Sequence, residues 1–195
     1  MLIFSPPKTK SSGFSIVETM VVMGMVGTLL ATGAPTLSKV IRDNGLLSDV
    51  FALRATLNSA RSEALAQRSF VTVCASNDGT SCSGSWNEGY IAFTDFDGDG
   101  VLDPDGPRGD QIIQASGEEL AALSADYSNI ADRVRFSSQG SALNFSGSMT
   151  MCDDRGSHYA RGIFVSNVGT VQALVDSDKP ANGIVNVPGG GDVSC

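Results

Sequence analysis

From Phe14 to Ala34 the chain carries 21 residues with a single ionisable side chain, Glu18. A helix of that length rises roughly 30 Å, the thickness of a bilayer's hydrocarbon core, so residues 14–34 are expected to form the transmembrane half of a long helix. Pro35 removes one helical hydrogen bond and is expected to kink the rod. Residues 35–69 then turn amphipathic, with Val40, Leu47, Val50, Leu53, Leu57, Ala60 and Ala64 recurring at spacings of three, four and seven. That stripe should cover a sheet. Gly45 weakens the helix by about 1 kcal/mol relative to Ala and marks a possible local melt.

From Phe70 the apolar period shortens to two. Phe70–Cys74, Tyr90–Phe93, Gln111–Gln114, Val134–Phe136, Met149–Cys152, Gly162–Val165 and Val171–Val175 are short runs rich in β-branched or aromatic residues. Between them stand Asn77-Asp78-Gly79, Gln139-Gly140, Asp154-Arg155-Gly156 and Asn167-Val168-Gly169, whose residue types make turns. Residues 70–195 are therefore expected to form one mostly antiparallel β domain of one or two sheets, packed on the helix in an α+β arrangement.

Charge and cysteines alter this picture in four ways. A carboxylate at the edge of an apolar span costs about 2.5–3.5 kcal/mol unless it is paired, so Glu18 calls for a cationic partner. The basic segment before the span, with Lys8 and Lys10, favours the cytoplasmic side. The chain as a whole carries −8, which opposes a general attraction to nucleic acid or anionic lipid. All four cysteines, Cys74, Cys82, Cys152 and Cys195, follow the span, as expected for two disulfides in an oxidising periplasm. Three pairings are possible. Cys74 with Cys82 and Cys152 with Cys195 is favoured, because the first brackets a short turn and the second pins a Gly-rich tail. Four-Cys metal binding lacks a Cys-x-x-Cys pair, and His158 is the sole histidine.

Gly13-Phe14-Ser15-Ile16-Val17-Glu18, between a short basic leader and a long apolar run, resembles the processing signal of type IV prepilins and pseudopilins. The resemblance implies that residues 1–13 are a leader. A prepilin peptidase would cut between Gly13 and Phe14 and methylate the new amino terminus. It also implies that Glu18 is an assembly residue, paired with the freed ammonium of Phe14 on a neighbouring subunit. Downstream, Ala60-Arg61-Ser62-Glu63-Ala64, Val71-Thr72-Val73-Cys74, and Trp86 ahead of Gly89-Tyr90-Ile91-Ala92-Phe93 are similar to the GspH/FimT group of minor pilins and pseudopilins. The expected fold is then pilin-like. The expected role is that of a non-enzymatic minor subunit of a type IV pilus, at its tip and in starting assembly, or of a type II secretion pseudopilus. Its partners would be the prepilin peptidase, other major and minor pilins or pseudopilins, and inner-membrane lipid, with the globular domain in the periplasm.

The competing class is a ligand-binding module on the same anchor, taking DNA or calcium. Some pilus members bind DNA through a Gly-Arg-x-Arg turn; the matching turn here, Gly169-Thr170-Val171-Gln172, has neither Arg. Asp95, Asp97, Asp99 and Asp103, with Gly100 at the sixth position, match the front of a calcium loop, but Gly106 stands where the bidentate Glu belongs. A solvated Asp/Gly turn is the simpler reading, with no cofactor required. Arg54, Arg61 and Arg68 repeat every seven residues and read as a solvated face, or more sharply as a contact with neighbouring subunits. Asp153, Asp154, Ser157 and His158 cluster in sequence but read as surface turn residues, not a triad, and Trp86 as core.

Overall fold

The computed structural model describes residues 13–116, 120–122 and 124–195, and for residues 32–36 the backbone alone. One helix, α1 (Ile16–Gln67), is followed by eight strands: β1 (Phe70–Ala75), β2 (Tyr90–Asp95), β3 (Ile112–Ser116), β4 (Ser124–Tyr127), β5 (Arg133–Phe136), β6 (Gly147–Cys152), β7 (Arg161–Val165) and β8 (Val171–Ala173). The chain divides into two compact units, one ending at Ile41 and one comprising Arg42–Cys195.

In the first unit α1 presents exposed apolar side chains, among them Ile16, Met20, Met23 and Leu29. No helix among the described residues is long and apolar enough to cross a membrane. The expected span of 14–34 is thus not found as such: the described apolar side chains run only to Ala31, and those of residues 32–36 lie outside the described set. The expected kink at Pro35 falls on the same residues, and the helical backbone runs through that position. Of the expected leader, only Gly13 is described.

In the second unit α1 packs on two antiparallel four-stranded sheets, ordered β3-β2-β1-β5 and β4-β6-β7-β8. Leu46, Val50, Leu53, Leu57, Ala60 and Ala64 are buried along one helical stripe, stepping by three and four. They share a core with Val71 and Val73 of β1, Val134 and Phe136 of β5, and Met149, Met151, Ile163 and Val165 of the second sheet. Two members of the expected stripe are displaced. Leu46 takes the buried place in preference to Leu47, and Val40 is exposed. Gly45 also has a different use: a Cβ there would stand 3.0 Å from that of Ala121. The glycine is a notch that admits the segment before β4, whose Ala121 and Ala122 amides donate to the Asp49 carboxylate. Burial there pushes the Asp49 pKa up against those two hydrogen bonds.

The helix ends where Arg68 adopts φ 53°, a left-handed conformation that lets the Ser69 amide reach back to the Ala64 carbonyl. β1 and β2 then pair in register from Phe70 opposite Asp95 to Ala75 opposite Tyr90. The strict alternation expected of a half-exposed sheet is absent, because both strands are buried on both faces. Cys74, Ile91 and Phe93 on the face away from the helix are covered by Leu102, carried by the loop after β2. β4 had no recognisable strand signal, since Ser-Ala-Asp-Tyr lacks β-branched residues; pairing with β6 makes it a strand.

Cys74 is bonded to Cys82 and Cys152 to Cys195, the favoured pairing. The second bond anchors the carboxy-terminal tail over a small separate core of Ala160, Leu174, Val185 and Val193. The tail is therefore ordered despite its Pro188-Gly189-Gly190-Gly191 composition, with Asn186 and Asp192 forming a β-bridge.

Candidate functional site

Three groups of residues carry the chemistry expected from the sequence. The first lies at the start of α1. Gly13 and Phe14 precede the helix, and among the described residues a Cβ added at Gly13 would meet nothing within 4 Å. Glu18 lies in the first helical turn, where a carboxylate also complements the helix dipole. It is exposed, as are Ile16 and Val17 beside it. Thr19 satisfies the carbonyls of Ser15 and Ile16 with its hydroxyl, which seals the first turn without engaging Glu18.

The second group is the acidic turn after β2. Carboxylate oxygens of Asp95, Asp97 and Asp99 lie within 4.8 Å of one another; Asp103 is not in the group, so the expected four become three. Asp95 is fully buried, and its oxygens accept from the Thr72 hydroxyl at 2.6 Å and the Gly98 amide at 2.8 Å. Arg135 stands 4.0 Å away. Burial outweighs these partners and raises the Asp95 pKa. Asp97 and Asp99 each accept from a backbone amide two residues on, the self-bonding habit of Asp in turns. Asp110, outside the expected set, closes the loop by accepting from the amides of Phe96 and Asp103. Arg133 donates to the Gly100 carbonyl at 2.7 Å. The loop is thereby folded back so that Leu102 reaches the sheet. Nothing in its sequence singled out Asp110 from its acidic neighbours.

The third group joins the helix to the turn after β5 and to the turn of the β7–β8 hairpin. Arg61 donates from Nε to the Gly140 carbonyl at 2.9 Å and from its terminal nitrogen to the Val168 carbonyl at 3.1 Å. This replaces the solvated-face reading for that residue. The two turns touch directly. Gly169 has φ 78°, and a Cβ on it would stand 1.9 Å from the Gly140 carbonyl oxygen, so no other residue fits. The turn that could have held DNA-binding arginines is instead packed against its neighbour. Arg61→Ala should cost about 2 kcal/mol, the worth of hydrogen bonds to a charged group, and Arg61→Lys should recover only part, because an ammonium lacks the planar fork. Urea unfolding of the three proteins checks this.

The Asp153–His158 cluster is held by ion pairs of another kind. Arg155 bonds to Asp153 and Asp43, and Arg42 to Asp154, which fastens the β6 turn to α1. The Arg155 hydrogen bonds hold the Asp153 carboxyl below its usual range. Ser157 accepts from the amide of Cys195, and no contact joins it to His158 as a nucleophile to a base. Trp86 is buried, donating to Asp132 at 2.8 Å.

With this geometry in view, a family model described as "Type II transport protein GspH" matches residues 50–169. No curated protein matches the chain. Two crystal forms of the type IV minor pilin FimU from Pseudomonas aeruginosa (strain PAO1) share its fold. One has TM-score 0.52 and 23% identity, covering 69% of this chain and 92% of that one. The other has TM-score 0.50 and 22% identity, covering 68% and 95%.

Proposed function

The chain belongs to the GspH family, and from that premise we propose that it is a minor pilin or pseudopilin, a structural subunit that enters a filament through α1. The observation that carries the reading is the start of that helix. Exposed apolar side chains surround Glu18 there, an arrangement with no use in a free monomer and an evident one in a bilayer or among packed helices. Residues 14–34 would anchor the subunit in the inner membrane, with the disulfide-bonded domain in the periplasm. A prepilin peptidase would remove residues 1–13 and methylate Phe14. The new ammonium would neutralise Glu18 of a neighbouring copy. Pilus and secretion pseudopilus are both served by this design. A tagged full-length chain should be recovered in the filament fraction together with other pilin-class subunits; recovery solely as a monomer contradicts the proposal.

Nucleic acid is not a proposed partner. A formal charge of −8 and a Gly169 turn without guanidiniums both disfavour phosphate contacts. The acidic turn is proposed to act as a self-bonded cover for the sheet, not as an ion site. Asp95 already has two hydrogen-bond donors and a nearby guanidinium, and Asp103 stands apart. The melting temperature should accordingly be the same in calcium and in chelator. A calcium-dependent rise would mean that the three converging carboxylates hold a cation.

A further inference from the structure

Residues 176–195 are tied to the rest of the domain at their two ends and are bonded chiefly to themselves. Within the segment the Val187 amide donates to the Gly191 carbonyl, the Val193 amide to the Val185 carbonyl and the Gly183 amide to the Asp176 carboxylate. The Asn186 side chain donates to Asp192 and accepts from the Ser177 amide, which knits the two arms together. Outward, the Cys195 amide donates to the Ser157 hydroxyl at 3.2 Å, beside the Cys152–Cys195 bond itself. Val185 and Val193 rest on Ala160 and Leu174 in the small second core. The segment is therefore a preformed flap, held down by a few apolar contacts and one covalent link.

The sheet beneath keeps its place by other means. Met149, Met151, Ile163 and Val165 belong to the core under α1, whereas Cys152 and Phe164 pack with the flap. Among the described residues, that main core takes no member beyond Val171. The turn that carries Ser157 is braced separately, by Arg155 on Asp43 and Arg42 on Asp154. Units with few buried contacts of their own open at lower cost than the core that carries them. The other disulfide closes a loop of a different kind. Between Cys74 and Cys82, Asp78 accepts from the amides of Thr80 and Ser81, and the Ser83 amide just beyond donates to Ala75 of β1, so that loop is held without its bond. Of the two cysteines that fasten the flap, Cys195 is exposed and Cys152 is buried.

We propose that Cys152–Cys195 is a redox latch: a protein dithiol opens it, residues 176–195 leave the second sheet as one unit, and the rest of the domain stays folded. The attacking thiolate meets the exposed partner, forms a mixed disulfide with the Cys195 sulfur, and Cys152 departs as the thiolate. The second thiol of the reductant then attacks the mixed disulfide and releases Cys195. The reductant is left oxidised to its disulfide, and its two protons pass to the two cysteines. Opening bares Ala160, Phe164 and Leu174, an apolar face that the closed form covers. The device goes beyond the filament reading and does not depend on how α1 is anchored or processed.

Hydrogen exchange of the full chain in detergent micelles, before and after treatment with dithiothreitol, itself a dithiol, tests it. Reduction should speed exchange at the amides of residues 185–193 at least about tenfold, while residues 46–64 of α1 and strands β1, β6 and β7 keep their protection. Reoxidation should restore slow exchange in the flap. Cys152→Ser with Cys195→Ser should exchange fast at 185–193 with no reductant present, and Cys74→Ser with Cys82→Ser should still respond to dithiothreitol as the wild type does. Alkylation of the reduced wild-type chain, read by peptide mass, assigns the opened bond even if neither double variant folds. Unchanged exchange at 185–193 with Cys152 and Cys195 both alkylated would overturn the proposal. So would loss of protection in α1 together with the flap, or a bond that dithiothreitol does not open while α1 stays protected.

Discussion

Replacing Cys152 and Cys195 with Ser should lower the stability of the Arg42–Cys195 domain by about 4 kcal/mol, against about 2.5 kcal/mol for the same change at Cys74 and Cys82. The difference follows from the loops the bonds close, with sequence separations of 43 and 8. A longer loop removes more conformational freedom from the unfolded chain. The larger loss also has a local origin. Ala160, Leu174, Val185 and Val193 form a core separate from the one under α1, and the tail that completes it ends at Cys195. Without the bond, that tail must be held by the small apolar cluster and by Asn186, whose side chain donates to Asp192 and accepts from Ser177. Urea unfolding of both double variants, in the full chain, measures the two losses. Equal losses would mean that the tail core holds by itself.

The second large effect concerns Glu18. Glu18→Gln and Glu18→Ala should leave membrane insertion intact, since either change makes the apolar run more apolar, and should reduce incorporation into filaments by an order of magnitude or more. An ammonium and a carboxylate that meet away from water gain from each other what each loses in desolvation, and removing one strands the other at a cost of about 3–5 kcal/mol. At about 1.4 kcal/mol per tenfold, that suffices to exclude a variant from competition with wild-type subunits. Quantifying tagged wild-type and variant chains in the same filament preparation is the check, and equal incorporation of both variants would remove the ion pair from the mechanism.

How much of this was legible in the sequence differs by element, and the reasons are physical. β1, β2, β6 and β7 stand within two residues of their expected bounds because β-branched and apolar runs between turn residues leave few alternatives. β4 was invisible because its strand character comes from pairing with β6. The helix stripe was correct from Val50 onward. Before that, two adjacent leucines compete, and only the 120–122 segment packed against Gly45 decides for Leu46. The double burial of β1 and β2 depends on Leu102 returning from a loop that reads as polar, which periodicity does not reveal. A short turn between Cys74 and Cys82 and a Gly-rich tail ending at Cys195 favoured one disulfide pairing, and it is the one found. Arg61 read as a solvated surface charge, because nothing in a heptad spacing tells which carbonyls will be near.

The central claim is that Gly13-Phe14 is a processing junction and Glu18 the acceptor of the amine it releases. The most direct measurement is the mass of the amino-terminal peptide from protein recovered from membranes of cells with an active prepilin peptidase. The account predicts a peptide beginning at Phe14 with a methylated amino group. An intact chain that still carries residues 1–13 would contradict it.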